Sequence, residues 1–178
     1  GLEDAYEPGR AMGTFAQDTA NEYQLTREAQ DGYAIESLRR AQAAISEGAF
    51  VDEIAPVTVK SRGGDVVVDT DEQPGKGRPD KIPSLKPAFA KDGTITAASS
   101  SSISDGAAAV VITRQSVADA EGLKPVAKVV ALAAHAQEPK DFTVAPVGAI
   151  TKVMERAGWS IGDVDLFEVN EAFACVAM

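Results

Sequence analysis

A proline-rich stretch at residues 71–87, DEQPGKGRPDKIPSLKP, is the feature that most constrains the fold of this chain. Its four prolines and two glycines disfavour a long helix or a central strand, because proline removes a backbone donor and glycine costs conformational entropy. The stretch therefore predicts an irregular surface loop. Loops of this length inside a compact domain are functional or disordered more often than not, so a ligand-facing or interface role is one possibility and a passive segment is the other.

Regular structure is predicted on the N-terminal side of the stretch. Apolar residues at helical spacing predict helices over residues 12–23 and 26–47, with Thr26 as the N-cap and Gly48 just past the end. Alternating β-type residues predict two strands, over residues 54–59 and 66–69. The sequence SRGG between them is typical of a hairpin turn.

Strands alternate with helices on the C-terminal side. We expect strands at residues 94–96, 107–112, 126–134 and 165–169. We expect helices that end at Gly122 and at residue 157, before Gly158, and a last helix over residues 172–178. This alternation is typical of a mostly parallel sheet with right-handed crossovers. The fold class is therefore α/β, with a boundary near Phe89.

Composition and charge exclude several classes of partner. The chain has 178 residues, is 44% hydrophobic and carries a net charge of -10, which is unsuited to a phosphate backbone or an anionic membrane surface. No apolar run approaches the roughly 20 residues of a membrane span, and no signal peptide is recognisable. One cysteine excludes an internal disulfide and fits a reducing compartment, so we expect a cytoplasmic or matrix-like location.

Residues 96–109, TAASSSSISDGAAA, form the most unusual motif of the chain. On one interpretation this serine block is a flexible low-complexity turn. On the other, its hydroxyls and free N–H groups line a ligand site at the carboxyl end of a strand, where open α/β sheets place their ligands. The residues alone leave both interpretations open.

The common catalytic signatures are missing from the sequence. It contains no nucleophile elbow, no phosphate-binding glycine loop and no dinucleotide fingerprint. His135 is the one histidine, which excludes a two-histidine metal site and favours a structural role. Cys175 lies in an alanine-rich run that predicts a buried helix, so we interpret it as a packing residue rather than a nucleophile.

The pair Asn170–Glu171 falls where a predicted strand gives way to a predicted helix. A side-chain amide at the carboxyl end of a strand can hold a water or an oxyanion. A carboxylate in the first turn of the following helix is favoured electrostatically. An ordinary Asn N-cap explains the same spacing equally well, so the pair alone does not decide between the two.

Four blocks taken together resemble the thiolases, the acetyl-CoA acetyltransferase family. They are RAMG at 10–13, LKPAF at 85–89, the serine block and EVNEAFA at 168–174. Their order and spacing match the family across essentially the whole chain. The resemblance implies that Asn170 holds a catalytic water that helps to bind the thioester oxygen, and that Glu171 supports it.

The resemblance also implies the reaction. Thiolases condense two acetyl-CoA molecules to acetoacetyl-CoA, or cleave it thiolytically, through an acyl-cysteine intermediate. This implies a coenzyme A thioester as substrate, no metal or other cofactor, a role in fatty acid metabolism and a homo-oligomer, either a tetramer or a dimer. The alternative is a non-catalytic fragment that only binds CoA or supports oligomerisation.

The resemblance implies a partial thiolase-like fold. Residues 1–89 correspond to a helical and irregular loop domain that covers CoA and makes oligomer contacts, and residues 90–178 to the first part of a mixed, mostly parallel α/β layered half. Two positive side chains of the proline-rich loop would approach the phosphate-bearing end of CoA, namely Arg78 and Lys81. The pantetheine and acyl pocket would be lined by Leu2, Met12, Phe89, Ala97, Ser101, Ser102 and Phe173.

The chain also departs from the family pattern. The nucleophilic cysteine of the family lies upstream of Gly1, and the Gly-His-Pro and Cys-x-Gly motifs lie downstream of Met178, so we expect this chain alone to be inactive. Ser99 stands where the family commonly has Asn, and Ser102 where Gly is frequent. Ala11 stands where some members have His. These departures bear on loop geometry and on the length of the acyl chain.

Overall fold

The computed structural model describes residues 2–178. They form two compact units. The first contains the described residues up to Ser101 together with Glu171–Met178, and the second contains Ser102–Asn170. The boundary near Phe89, with a loop domain at 1–89 and an α/β half at 90–178, stays a prediction.

Two helices form the frame of the first unit. Helix α1 spans Met12–Glu22 and helix α2 spans Arg27–Ser46, which confirms both predicted helices. The Thr26 hydroxyl accepts a hydrogen bond from the Ala29 N–H and so caps α2, as predicted. After α2 the chain reverses at Gly48, whose φ of +69° is a left-handed conformation that glycine adopts without steric cost.

The predicted hairpin is present. Strand β1 spans Val57–Ser61 and strand β2 spans Gly64–Val68, and they pair antiparallel with Val59 opposite Val66. The turn is the predicted SRGG sequence, and Gly64 at its end has a φ of +114°. This hairpin is the one sheet within residues 2–178.

The proline-rich stretch is more regular than the sequence predicts. It contains a short helix α3, Glu72–Lys76, and a 3₁₀-helix, Pro79–Ser84, so the expectation of a wholly irregular loop is wrong. The Asp71 carboxylate accepts from the Gln73 N–H and starts α3. Pro79 opens the 3₁₀-helix at a position where no backbone donor is needed.

A small apolar core joins the beginning and the end of the chain. Ala16 and Ala20 of α1 pack with Ile95 and Cys175, all of them buried. Four partly buried side chains surround this cluster: Leu25, Phe89, Phe173 and Val176. Small side chains on α1 let the segment around Ile95 approach closely, so residues far apart in sequence meet at one place.

The second unit contains helices α4, Gln115–Ala120, and α5, Ala145–Ala157. Two 3₁₀-helices, Pro139–Val144 and Ile161–Asp163, flank α5. Gly158 ends α5 in the left-handed conformation, with a φ of +69°. The predicted helices at these positions are thereby confirmed.

The four strands predicted on the C-terminal side are not formed within residues 2–178. The segments 94–96, 107–112, 126–134 and 165–169 carry no strand assignment. A strand exists only when a neighbour pairs with its backbone. Segment 94–96 makes one isolated bridge, between Pro87 and Thr96. The other segments are largely exposed, and Val111 reaches 96% exposure.

Candidate functional site

The Glu171 carboxylate is fastened to helix α2. The Tyr33 hydroxyl donates to Oε1 at 3.0 Å, and the Ser37 hydroxyl donates to Oε2 at 2.7 Å. Tyr33 and Ser37 are one helical turn apart and therefore lie on the same face of α2. Burial of the Tyr33 phenol, reinforced by the nearby Glu171 carboxylate, raises the pKa of Tyr33 above its ordinary value. Each oxygen of this carboxylate thus has its own hydroxyl donor.

The last helix begins later than the sequence predicts. Helix α6 spans only Ala174–Ala177, and its N-cap is Phe173. Asn170 is therefore not an N-cap, and Glu171 is not in the first turn of the helix. The N-cap alternative for Asn170 is thereby excluded, and the expectation that Glu171 lies in the first helical turn is wrong. The segment before the helix stays extended because it pairs with the serine block: the Ser101 N–H donates to the Ala172 carbonyl, and the Ala174 N–H donates to the Ser99 carbonyl, each at 2.9 Å.

Asn170 lies at the end of the second unit and its side chain is exposed. It follows Val169 and directly precedes the anchored Glu171. Because Phe173 is the N-cap of α6, the Asn170 amide does not cap this helix. Its role in holding a catalytic water stays a prediction.

An aromatic pair brings two of the predicted pocket residues together. The rings of Phe89 and Phe173 meet edge to face, with centroids 5.9 Å apart and an interplanar angle of 81°. Phe89 also lies over Gly13, where any Cβ atom would come closer than 3.0 Å to the ring. Gly13 follows Met12, which is half-buried at the start of α1. The sequence RAMG therefore combines a predicted pocket residue with the glycine that admits Phe89.

The remaining predicted pocket residues are exposed. Leu2 is 68% exposed, and its carbonyl accepts from the Met12 N–H at 3.0 Å. Ala97 and Ser101 are exposed on the serine block of the first unit. Ser102 belongs to the second unit, where its hydroxyl lies 3.0 Å from that of Ser104. Their contact with a ligand stays a prediction.

Two hydroxyls of the serine block build its turn. The buried Ser99 hydroxyl accepts from the Thr96 N–H at 2.9 Å, and the Ser100 hydroxyl donates to the Thr96 carbonyl at 2.7 Å. Both serines therefore satisfy the backbone of the block itself, in the manner of short side chains at turns. Ser101 and Ser102 remain exposed.

Sequence reasoning did not identify Gln17, which holds the beginning of this block. Its buried amide oxygen accepts from the Thr94 N–H at 2.9 Å and from the Ile95 N–H at 3.2 Å. Its amide nitrogen donates to the Thr94 hydroxyl and to Asn21. A glutamine among buried small residues of an apolar helix face was the available signal, because a buried polar side chain needs partners.

Arg78 and Lys81, predicted to approach the phosphate-bearing end of CoA, are both exposed. Arg78 is the N-cap residue of the 3₁₀-helix and Lys81 lies within it. The Lys81 ammonium is 3.7 Å from the Asp80 carboxylate, a solvent-exposed pair of small energetic weight. Both cations are therefore accessible to an anion.

Cys175 has the surroundings of a packing residue. Its thiol is buried against α1 and lies 3.6 Å from the Ala16 carbonyl. Burial raises the pKa of the Cys175 thiol to about 11, whereas a nucleophilic cysteine needs a lowered pKa. The geometry thus supports the interpretation made from the sequence.

His135, in the second unit, is engaged on both ring nitrogens. Nδ1 lies 2.9 Å from the Lys152 ammonium, and Nε2 lies 2.9 Å from Oε1 of the Gln137 side-chain amide. Because Lys152 can only donate, Nδ1 accepts and Nε2 carries the proton. The ring also covers Gly148 of α5, where a Cβ atom would clash with it. These contacts describe a structural histidine.

Within residues 2–178, no helix is both long and apolar enough to cross a membrane. No group of three or more His, Cys, Asp or Glu side chains in that range is arranged to hold a metal ion.

Two family descriptions match the chain in order. The family described as Thiolase, N-terminal domain matches residues 1–116, and the family described as Thiolase, C-terminal domain matches residues 123–178. The chain belongs to the thiolase family. The resemblance seen in the four sequence blocks is thereby confirmed.

Curated relatives of this thiolase chain agree with the family assignment. The chain is 44% identical over 178 residues to the acetyl-CoA acetyltransferase of Shinella zoogloeoides, covering 99% of this chain and 45% of the relative. It is 48% identical over 182 residues to a mitochondrial acetyl-CoA acetyltransferase of Gibberella zeae, covering 100% of this chain and 42% of the relative. The thiolase chain thus spans less than half the length of these relatives.

Solved structures confirm the partial α/β thiolase fold. The acetyl-CoA acetyltransferase of Bacillus anthracis superposes with a TM-score of 0.93 at 39% identity, covering 99% of this chain and 45% of that one. Human mitochondrial 3-ketoacyl-CoA thiolase superposes with a TM-score of 0.90 at 35% identity, with the same coverage of 99% and 45%.

Proposed function

We propose that the complete protein is an acetyl-CoA C-acyltransferase. It condenses two acetyl-CoA molecules to acetoacetyl-CoA and CoA, or runs the reverse thiolytic cleavage, through an acyl-cysteine intermediate. The observation that carries the proposal is the match to both thiolase domains, in order, over residues 1–116 and 123–178. Relatives named acetyl-CoA acetyltransferase support it at 44% and 48% identity.

In this proposal Asn170 acts at the thioester carbonyl. Its amide orients a water against the carbonyl oxygen, where negative charge develops during acyl transfer, and a fixed donor at that position lowers the barrier. Glu171 is the next residue, and its carboxylate is held by Tyr33 and Ser37. This anchorage limits the motion of the backbone beside Asn170, which supports a positioning role for Glu171.

The acyl and pantetheine groups bind along an apolar surface in this proposal. Met12, Phe89 and Phe173 supply it, because the edge-to-face ring pair is half-buried and adjoins the start of α1. The exposed residues Leu2, Ala97 and Ser101 complete the lining, and Arg78 and Lys81 meet the phosphates at the nucleotide end. Exposed cations on an otherwise acidic chain suit that contact.

The wider setting is part of the same proposal. Acyl-CoA and CoA are the partners, the thioester itself is the substrate, and no metal or further cofactor takes part. We propose a homo-oligomer, a cytoplasmic location and a role in fatty acid metabolism, and we propose no nucleic-acid or membrane partner. The net charge of -10 and the single cysteine are consistent with this setting.

The chain of residues 1–178 is proposed to be inactive by itself. Its one cysteine, Cys175, has a buried thiol with a pKa raised to about 11, which is unsuited to attack on a thioester. Loss of the nucleophile removes most of the rate acceleration, because catalytic groups that act as a unit are not additive.

The test is thiolysis of acetoacetyl-CoA by the complete protein, with the isolated chain assayed at the same molar concentration. We expect CoA-dependent formation of acetyl-CoA by the complete protein and none by the isolated chain. If the complete protein binds CoA in a direct binding assay without any turnover, the enzyme proposal is wrong and a non-catalytic CoA-binding or oligomerisation role takes its place.

A further inference from the structure

Helix α2 fastens the proline-rich stretch at two places. The Gln42 side-chain amide donates to the Pro74 carbonyl at 2.8 Å, near the beginning of the stretch. Near its end, the Arg27 guanidinium meets the main chain around residues 82–85. Leu38, between these two side chains on α2, packs where Gly77 has no Cβ atom. The exposed Arg78 and Lys81 lie between the two attachments.

The Arg27 guanidinium donates to several backbone carbonyls at once. Nη2 points at three carbonyl oxygens, of Leu85 at 2.8 Å, Ile82 at 3.3 Å and Pro83 at 3.4 Å. These groups belong to the C-terminal end of the 3₁₀-helix Pro79–Ser84, where carbonyls have no partner within the helix and a positive charge is favoured. One guanidinium therefore fixes the end of the helix that carries Lys81.

Asp31 holds Arg27 in this position. Its Oδ2 accepts from Arg27 Nε at 2.7 Å, one turn along α2, and only 7% of the Asp31 side chain is exposed. The second oxygen, Oδ1, is buried and has no hydrogen-bond partner within residues 2–178. Arg27 is thus the one cation that neutralises this carboxylate in the described part of the chain, and the pair acts as a unit.

We infer that Arg27 is a positioning residue for the nucleotide end of coenzyme A. It fixes the 3₁₀-helix against α2, and the helix in turn presents Arg78 and Lys81 to the phosphates. This inference rests on the proposed function. Charge-assisted contacts to phosphate require cations at fixed positions. A loosened 3₁₀-helix should therefore weaken binding of the nucleotide end and leave the chemistry at the thioester unchanged.

The experiment compares two substrate pairs in the complete protein. One pair is acetoacetyl-CoA with CoA, and the other is acetoacetyl-pantetheine with pantetheine, which lack the nucleotide and its phosphates. We expect Arg27→Met to raise KM for the CoA pair about tenfold, the scale of losing one charge-assisted contact. The kcat for that pair and both constants for the pantetheine pair should stay within about twofold of wild type.

Three further variants make the result specific. Arg39→Met removes an equal charge from the exposed side of α2, where Arg39 pairs with Glu36, and should leave both substrate pairs unchanged. Arg27→Lys keeps the charge without the planar fork and should recover part of the CoA affinity. The double variant Arg27→Met with Asp31→Asn avoids a buried unpaired carboxylate and should reproduce the tenfold effect.

Other outcomes separate the failures. An equal loss with both substrate pairs in the single and the double variant means general damage and overturns the inference. An unchanged KM for CoA in both variants overturns it as well. If wild-type protein turns over neither pair, the proposed function itself has failed.

Discussion

Replacing Gln17 by Met tests how the serine block is held. The two side chains have similar length and flexibility, so the change removes both polar atoms of the amide and creates little empty space. In the folded protein the Gln17 oxygen accepts from two backbone N–H groups, those of Thr94 and Ile95. Gly93 makes room for this oxygen, since a Cβ atom there would lie 2.6 Å from it.

The cost follows from the donors left without a partner. An unsatisfied buried donor costs about 1–3 kcal/mol. Ile95 is fully buried and Thr94 is half-buried, so we expect a loss of about 2–4 kcal/mol of folding free energy in Gln17→Met. The complete protein is about twice the length of this chain, and an unfolding entropy of about 2 cal/mol/K per residue then gives about 1 °C per kcal/mol, so the thermal midpoint should fall by roughly 2–5 °C.

The assay is thermal unfolding of the complete protein, with amide hydrogen exchange measured for the peptide that contains residues 94 and 95. Asn21→Ala is the matched control, because it removes only an exposed partner of the Gln17 amide nitrogen, and it should lower the midpoint by about 1 °C or less. A Gln17→Met midpoint equal to that of the control, with unchanged exchange at Thr94 and Ile95, would refute the argument.

Three further predictions concern stability. Thr26→Ala removes the cap of α2 and should cost about 1 kcal/mol in thermal unfolding, whereas a cost near zero would show that the cap is dispensable. The raised pKa of Cys175 means that the folded state binds its thiol proton more tightly than the unfolded state. This stabilisation is complete below pH 9 and is lost as the pH rises through about 11. Cys175→Ala should abolish that part of the pH dependence, and an unchanged pH profile would contradict the assignment. Gly13→Ala should destabilise the protein, because the new Cβ atom would clash with the Phe89 ring. Gly32→Ala places its Cβ atom in open space and should stabilise the protein by about 0.5–1 kcal/mol in the same unfolding assay. Equal effects of the two substitutions would argue against the Phe89 contact.

Local signals made much of the first unit predictable. The cap at Thr26 and the glycine at 48 mark the limits of α2, and SRGG marks the hairpin turn, because capping and turn chemistry act over a few residues. The proline-rich stretch was harder to predict. Its prolines sit where short helices tolerate them, as Pro79 does at the start of the 3₁₀-helix.

Long-range contacts could not be predicted from the same signals. The predicted strand at 126–134 would need a neighbouring strand, which its own residues do not specify, and it is not formed within residues 2–178. The local pattern predicts a helical turn at Glu171, but the Glu171 carboxylate accepts a hydrogen bond from Tyr33, a residue 138 positions away. That hydrogen bond and the pairing of Ala172 with Ser101 keep the chain extended, so the helix starts three residues later than Glu171.

The most direct test of the proposed function is the kcat of the Asn170→Ala variant of the complete protein in thiolysis of acetoacetyl-CoA. This measurement asks whether the Asn170 side chain acts at the thioester. If Asn170 holds the water at the thioester oxygen, kcat should fall about 100-fold or more, with an unchanged thermal midpoint because the side chain is exposed. A kcat within about threefold of wild type would contradict the role assigned to Asn170, because the loss of an oxyanion donor costs far more than that.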